Sequence, residues 1–149
     1  LTDRTLRSHS RLLNLSEQPM RFEWFAHPFF ALSENADLSV QLPDDAALPP
    51  DSGFELIDGI LTPSRQYVGK DDGAFTLLQG VSTSGLQVSV AHPLLQNGIC
   101  FGANFALSEC PIWMNGFKFS IEPYQFLDLA PGDPRQWELT YEFTNAHST

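Results

Sequence analysis

Short apolar segments, broken at regular intervals, dominate the sequence. Phe, Val, Leu and Tyr cluster in short runs, and Gly, Pro, Asp or Asn interrupts the chain every 8–12 residues or so. The 3.6-residue spacing of an amphipathic helix is nearly absent. This pattern is typical of an all-β sandwich or barrel. With 149 residues, 42% of them hydrophobic, the chain can bury a real core. We therefore expect a single domain over residues 1–149, either an antiparallel β-sandwich or a barrel.

Two segments show the alternation of a strand with one buried face. "MRFEWFA" places Met20, Phe22 and Trp24 on one side, and "WELTYEF" (137–143) behaves in the same way. "PDDAALPPDSG" (43–53) is rich in proline and aspartate, which predicts a loop, and "LAPGDPRQ" (129–136) predicts a turn. "STSG" predicts a hairpin turn between strands 74–81 and 86–93. Further strands are expected at 5–15, 38–42, 98–105 and 116–126.

The charge balance excludes some classes of partner. The formal net charge is −10, with 18 acidic and 8 basic residues. A phosphate backbone or an anionic membrane surface would be repelled, so we expect no nucleic-acid and no membrane partner. No signal peptide and no apolar run long enough for a membrane span is recognisable, which indicates a cytoplasmic protein. Neutral or cationic small ligands remain open.

Metal and cofactor motifs are also missing from the sequence. Cys100 and Cys110 are the only cysteines, and neither they nor the histidines have the spacing of a metal site. No P-loop, G-x-G-x-x-G or G-x-S-x-G motif occurs. We therefore expect no metal and no cofactor, and two buried or half-buried thiols.

Five residues could carry acid/base or binding chemistry. His27 lies among aromatic residues in "RFEWFAHPFF", where Pro28 favours an extended or turn conformation at His27. Glu122, in "FSIEPYQF", has apolar neighbours, and burial of a carboxylate favours a raised pKa that suits a general base. Ordinary roles remain open: a core histidine for His27 and a solvent-facing edge residue for Glu122. Asp71, Asp72 and His92 are weaker candidates, since solvated turns and strand ends also contain such residues.

Four motifs in order resemble the aldose 1-epimerase (galactose mutarotase) family. "NLSEQPMRFEWFAHPFFAL" resembles the segment that leads into H-P-[YF]-F-x-L, and "KDDGAF" resembles the D-x-x-F element. "SGLQVSVAHPLLQNGICFGANF" resembles a run that ends in P-x-L-Q-x-Y, although Cys100 stands where the family often has tyrosine. "FSIEPYQFLDLAPGDPRQWELTYEF" resembles the closing E-P-x-Q…P-G…W…Y-x-F pattern.

The resemblance implies a role for each matching residue. Glu122 takes the place of the general base and His27 that of the general acid. Asp72, with Phe75 three residues later, takes the place of a substrate-binding aspartate, with Asp71 as the alternative. Trp113 and Gln125 are expected to line the sugar site. The implied reaction interconverts the α and β anomers of a hexose through ring opening, with the two groups on opposite sides of one sugar ring and no cofactor.

The resemblance also implies a longer protein. Family members have about twice this length and fold as a β-supersandwich, and the motifs here match only their C-terminal half. We therefore expect a C-terminal portion or a short homologue, whose partner is a small-molecule sugar together with either a missing N-terminal half or another copy of the chain. Three alternatives stay open: a hexose-6-phosphate 1-epimerase, a non-catalytic carbohydrate-binding module, and a partner-binding sandwich without a sugar site.

Overall fold

The chain folds into antiparallel β-sheets, which confirms the predicted all-β class. The computed structural model describes residues 4–32, 38–81, 85–92 and 97–145. The strands in these ranges are β1 (Thr5–Leu13), β2 (Met20–Phe25), β3 (Phe29–Ala31), β4 (Ser39–Gln41), β5 (Phe54–Ile57), β6 (Ile60–Pro63), β7 (Gly73–Leu77), β8 (Leu86–His92), β9 (Asn97–Ala103), β10 (Pro111–Asn115), β11 (Lys118–Ile121), β12 (Tyr124–Leu129) and β13 (Pro134–Asn145). Within the described ranges, no helix has the length and apolar character needed to cross a bilayer.

Two of the sheets form the sandwich. A seven-stranded sheet has the order β1-β13-β9-β8-β4-β6-β5, and a four-stranded sheet has the order β3-β11-β10-β7. Phe101 of the larger sheet and Phe30 of the smaller lie with ring centroids 6.3 Å apart, and both belong to one buried cluster. Burying this apolar surface supplies most of the driving force for folding. On the opposite face of the four-stranded sheet, Phe29 and Phe75 are exposed among the described residues.

β2 and β12 form a separate two-stranded ribbon, which the chain connects to β3 and β11 of the four-stranded sheet. Trp24, on the inner side of the ribbon, packs against Trp137 of β13 with ring centroids 5.0 Å apart. Phe25 and Tyr124 are register partners on the outer side. The alternation in "MRFEWFA" thus produces the predicted strand, with Trp24 packed inward and Phe25 exposed.

Pro123 divides the segment that the sequence predicts as one strand over 116–126. β11 ends at Ile121, and β12 begins at Tyr124 in a different sheet. Proline has no N–H for the ladder, so a strand is readily interrupted there. The prediction of a single strand is therefore wrong, and Glu122 lies at the break, where the chain passes from the four-stranded sheet to the ribbon.

The predicted hairpin between strands 74–81 and 86–93 is also wrong. β7 pairs with β10 in the four-stranded sheet, whereas β8 pairs with β4 and β9 in the seven-stranded sheet. The connection therefore crosses between layers; of the predicted turn, residues 82–84 lie outside the described residues. A tight hairpin does form at Asp58–Gly59, where both residues have positive φ and join β5 to β6. This is the two-residue turn that Asp-Gly favours.

Candidate functional site

His27 and Glu122 meet although they are far apart in the sequence. Nδ1 of His27 lies 2.8 Å from Oε1 of Glu122. The Glu122 side chain is 7% exposed, whereas that of His27 is 43% exposed. The two groups, called the dyad below, are in direct contact, so a sugar ring could not lie between them. The expected arrangement on opposite sides of a ring does not hold in this structure.

The backbone on both sides of Glu122 is anchored. Its N–H donates to the carbonyl oxygen of Pro111 at 2.8 Å, which continues the β10–β11 ladder by one residue. Beyond the break, the N–H of Tyr124 donates to the carbonyl oxygen of Glu109 at 3.0 Å. Proline at 123 disfavours the helical conformation at Glu122, so the residue continues in extended form. The carboxylate is therefore held on a rigid scaffold.

His27 lies in the connection between β2 and β3, on the open side of the molecule. The N–H of Ala26 donates to the carbonyl oxygen of Pro123 at 3.4 Å, which brings the two connections together. The imidazole packs edge-on against Phe29, with ring centroids 4.4 Å apart, and against Phe25 at 6.0 Å. The aromatic neighbours fix the ring in position while part of it stays open to solvent.

A row of aromatic side chains extends from the dyad across the four-stranded sheet. Phe29 pairs with Ser120, Ser120 with Trp113, and Trp113 with Phe75. Register partners project from the same face of a sheet, so the three aromatic residues, called the aromatic face below, share one surface. Phe29 and Phe75 are exposed and Trp113 is half-buried. Lys118 Nζ lies 4.5 Å from the centroid of Phe29, within the range of a cation–π contact.

On the other side of His27, Phe25 and Tyr124 form a parallel stack. Their ring centroids are 4.5 Å apart and their planes differ by 5°. Burial raises the pKa of the Tyr124 hydroxyl, and the negative charges of Glu122, Glu23 and Glu109 raise it further. The dyad therefore lies between two aromatic surfaces.

Asp72 is engaged by an arginine of its own loop. Arg65 donates from Nη1 to Oδ2 at 2.9 Å and from Nη2 to Oδ1 at 2.6 Å. The N–H of Val68 also donates to Oδ2, at 3.0 Å. These hydrogen bonds lower the pKa of Asp72 to about 2. Asp72 therefore stabilises the 65–72 loop as a charged carboxylate, and a sugar hydroxyl would meet a carboxylate–guanidinium pair.

Of the other predicted residues, Trp113 lies near the dyad and Gln125 does not. Trp113 lies on the aromatic face, with its ring 6.0 Å from that of Phe29. Gln125 pairs with Trp24 on the inner side of the ribbon, opposite to Tyr124, and its buried Nε2 has no hydrogen-bond partner among the described residues. Thus the structure brings Trp113 towards the dyad but not Gln125. Asp71 is exposed in the loop, and His92 ends β8 with a side chain outside the described part of the chain.

Cys110 is a neighbour of the dyad that the motifs did not indicate. The thiol is buried, and burial raises its pKa to about 12, with a further contribution from the charge of Glu122. No pattern in the sequence indicated this position, because it depends on the pairing of β10 with β11, which brings Pro111, the next residue, opposite Glu122. Among the described residues, no group of three or more His, Cys, Asp and Glu side chains is arranged to hold a metal ion.

Comparison with known proteins gives structural neighbours only. No family model and no curated protein matches the sequence. Slr1438 protein from Synechocystis sp. PCC 6803 is 16% identical with a TM-score of 0.68, and the match covers 95% of this chain and 51% of that protein. A candidate aldose 1-epimerase from Klebsiella pneumoniae is 14% identical with a TM-score of 0.73, and the match covers 97% of this chain and 44% of that one.

A third neighbour is a galactose mutarotase related enzyme from Lactobacillus acidophilus. It is 15% identical with a TM-score of 0.66, and the match covers 99% of this chain and 60% of that protein. The chain therefore has the fold of galactose mutarotase-like proteins and spans about half the length of these neighbours.

Proposed function

We propose that the chain is an aldose 1-epimerase-like enzyme, or part of one, that interconverts the anomers of a hexose. The observation that carries the proposal is the 2.8 Å contact between His27 Nδ1 and Glu122 Oε1. A partly exposed imidazole in contact with a nearly buried carboxylate is suited to move two protons in one step. The fold of the neighbours named above supports the same reading.

Direct contact within the dyad is compatible with this chemistry. In a cyclic hemiacetal, the ring oxygen and the anomeric hydroxyl are bonded to the same carbon, C1. A base and an acid that lie side by side can therefore reach both oxygens from one side of the sugar. The reaction does not require a ring to lie between His27 and Glu122.

The dyad would act as follows. The Glu122 carboxylate removes the proton from the C1 hydroxyl while protonated His27 donates a proton to the ring oxygen. The bond between C1 and the ring oxygen breaks, and the C1–O bond becomes a carbonyl. Rotation about C1–C2 presents the other face of the aldehyde. Reversal of the two proton transfers closes the ring as the other anomer and restores both groups.

The surroundings of the dyad favour a neutral sugar. The aromatic face offers flat apolar rings to the C–H side of a pyranose and excludes water from it. We assign Trp113 and Asp72 to substrate binding, with Asp72 acting through its pair with Arg65. Gln125 would have to reach the sugar from the inner side of the ribbon, and we therefore rank it last.

Anomer exchange measured by NMR tests the proposal. Wild-type protein should accelerate the exchange of glucose or galactose, with a rate that saturates as sugar is added. The double variant His27→Asn/Glu122→Gln should lose the activity. The matched double variant His9→Asn/Glu138→Gln alters a pair of the same types 2.8 Å apart on the seven-stranded sheet, and should keep it.

Two outcomes contradict the proposal. Saturable sugar binding without acceleration of anomer exchange would indicate a carbohydrate-binding module instead. Equal activity in the two double variants would show that the dyad has no part in the reaction.

A further inference from the structure

Basic and acidic residues are separated along the chain. Three of the eight Lys and Arg residues are Arg4, Arg7 and Arg11, in or next to β1. Residues 22–64, which include β5, contain no Lys or Arg at all. The net charge is −10, yet β1 itself contains Arg7 and Arg11 and no Asp or Glu. Its edge is therefore basic, with Glu138 and Glu142 of the next strand on the same face.

The two regions lie at opposite edges of the same sheet. β1 and β5 are the first and last strands of the seven-stranded sheet. One row of register partners crosses the sheet from edge to edge: Thr5, Glu142, Cys100, Ser89, Gln41, Ile60 and Ile57. Side chains alternate along each strand, so Arg7 and Arg11 share the outer face with Glu55.

Three charged side chains at these edges have no ion-pair partner within the described ranges. No ion pair there includes Arg7, Arg11 or Glu55, although His9, between the two arginines, lies 2.8 Å from Glu138. Both edges also expose apolar side chains: Leu6 is 54% exposed on the inner face of β1, and Ile57 is 62% exposed on β5. A strand edge with unpaired backbone groups and uncovered apolar residues favours addition of another strand.

We propose that β1 of one copy of the chain pairs with β5 of a second copy. The six pairings between β1 and β5 are all antiparallel, so these two strands run in the same direction. A parallel pairing of β1 with β5 therefore continues the sheet with its faces unchanged, and Glu55 of one copy would lie on the same side as Arg7 and Arg11 of the other. Leu56 would lie on the same side as Leu6. Pairing of β1 with β1 is disfavoured, because an antiparallel pair centred on His9 would place Arg7 opposite Arg11.

The contact is heterologous, which determines how the assembly grows. Each copy keeps one free β1 edge and one free β5 edge, so association proceeds head to tail unless it closes into a ring. β5 has only four residues, so the contact area is small and the association is weak. This inference concerns the seven-stranded sheet and does not depend on the proposed function.

Charge reversal at one edge, and then at the other, tests the pairing. We would follow wild type, Arg7→Glu/Arg11→Glu and Glu55→Lys by sedimentation velocity from about 10 µM to about 1 mM protein at low ionic strength. Wild type should associate with rising concentration. Each variant alone should associate about tenfold more weakly, because like charges then meet at the contact.

Mixing the two variants gives the decisive measurement. In the mixture, Arg7 and Arg11 of one variant meet Glu55 of the other, and the new glutamates meet the new lysine. Both contacts are again complementary, so association should return towards the wild-type level. Circular dichroism would identify a variant that unfolds. In that case the neutral variants Arg7→Gln/Arg11→Gln and Glu55→Gln would replace the charge reversals, and each should associate more weakly than wild type.

Controls separate this contact from general charge effects. Arg21→Glu and Glu23→Lys change charge on the β2 ribbon, away from both edges, and should leave association unchanged. The proposal would be overturned if wild type stays monomeric over the whole concentration range. That result is expected if another segment of a longer chain covers β1. Association that the edge variants do not weaken, or that mixing does not restore, would overturn it as well.

Discussion

Two histidine–glutamate pairs of the same length occupy different environments in this molecule. His9 Nε2 lies 2.8 Å from Glu138 Oε2, and His27 Nδ1 lies 2.8 Å from Glu122 Oε1. The first pair joins neighbouring strands on the outer face of the seven-stranded sheet, where the His9 side chain is 73% exposed and that of Glu138 is 17% exposed. The second pair lies at a strand break among aromatic rings.

The difference shows that distance alone does not identify a reactive pair. An ion pair on a surface is screened by water and contributes little. A carboxylate that is nearly buried interacts more strongly with its partner, and its charge is more costly to leave unpaired. The surroundings that the sequence gives Glu122 therefore matter more than its contact with a histidine.

The largest contrast should appear when each carboxylate is removed. Glu122→Gln should reduce the rate of anomer exchange by about 10²- to 10⁴-fold, since the amide cannot accept the proton from the C1 hydroxyl. Glu138→Gln should leave the rate unchanged. The measurement is NMR exchange at saturating sugar, with sugar binding followed in parallel. Equal rates for both variants would remove the distinction between the pairs.

Substitution of the two histidines should give a smaller difference in rate between the two pairs. His27→Asn should reduce the rate by about 10²-fold, less than Glu122→Gln, because water can reach the partly exposed position and replace the acid in part. His9→Asn should have no effect on the rate. Because the two groups act together, His27→Asn/Glu122→Gln should be hardly slower than Glu122→Gln alone. If the loss of rate in the double variant equals the product of the losses in the two single variants, the two residues act independently.

Loss of an aromatic ring should affect binding more than the chemical step. Trp113→Ala should weaken sugar binding by about three- to tenfold, because one ring contact with the pyranose is lost. The limiting rate at saturation should change little. Phe143→Ala removes an exposed ring from the seven-stranded sheet and serves as the matched control. A fall in the limiting rate with unchanged affinity would place Trp113 outside the binding surface.

The smallest effect should come from Asp72, through stability. The pKa of its carboxyl falls from 3.8 to about 2 in the folded chain, so this contribution is present above about pH 4 and is lost as the pH falls through 2. Asp72→Asn should therefore lower the melting temperature slightly at neutral pH, and the difference from wild type should disappear as the pH falls below about 2. Asp71→Asn, the neighbouring control, should show no such pH dependence. A constant difference between Asp72→Asn and wild type at all pH values would contradict this origin.

Local patterns predicted much of the fold but not how strands are shared between sheets. The alternation at 20–26 and the proline-rich composition of 43–53 were sufficient to predict a strand and a loop. The hairpin at 82–85 was wrong because turn residues indicate only that the chain reverses, and β8 found its partners in the other layer. Such pairings depend on contacts far apart in sequence, which local patterns do not contain.

The candidate site was predicted in its composition rather than its geometry. Aromatic neighbours and Pro28 singled out His27, and apolar neighbours singled out Glu122; the structure brings the two together. The break that Pro123 makes between β11 and β12 was missed, since the sequence 116–126 is also compatible with one continuous strand. The pairing of Asp72 with Arg65 could have been suspected from their proximity in sequence, but its two-point geometry depends on the path of the loop.

The burial of Cys110 has a practical consequence. A thiol with a pKa of about 12 that solvent hardly reaches will not react with maleimides at neutral pH, whereas Cys100 is partly accessible beside Ser89. The chain has no other cysteine, so a fluorophore can be attached at one position without mutagenesis. Cys100 belongs to the row that links Thr5 to Ile57, and energy transfer between labelled copies would therefore give an optical signal of their assembly.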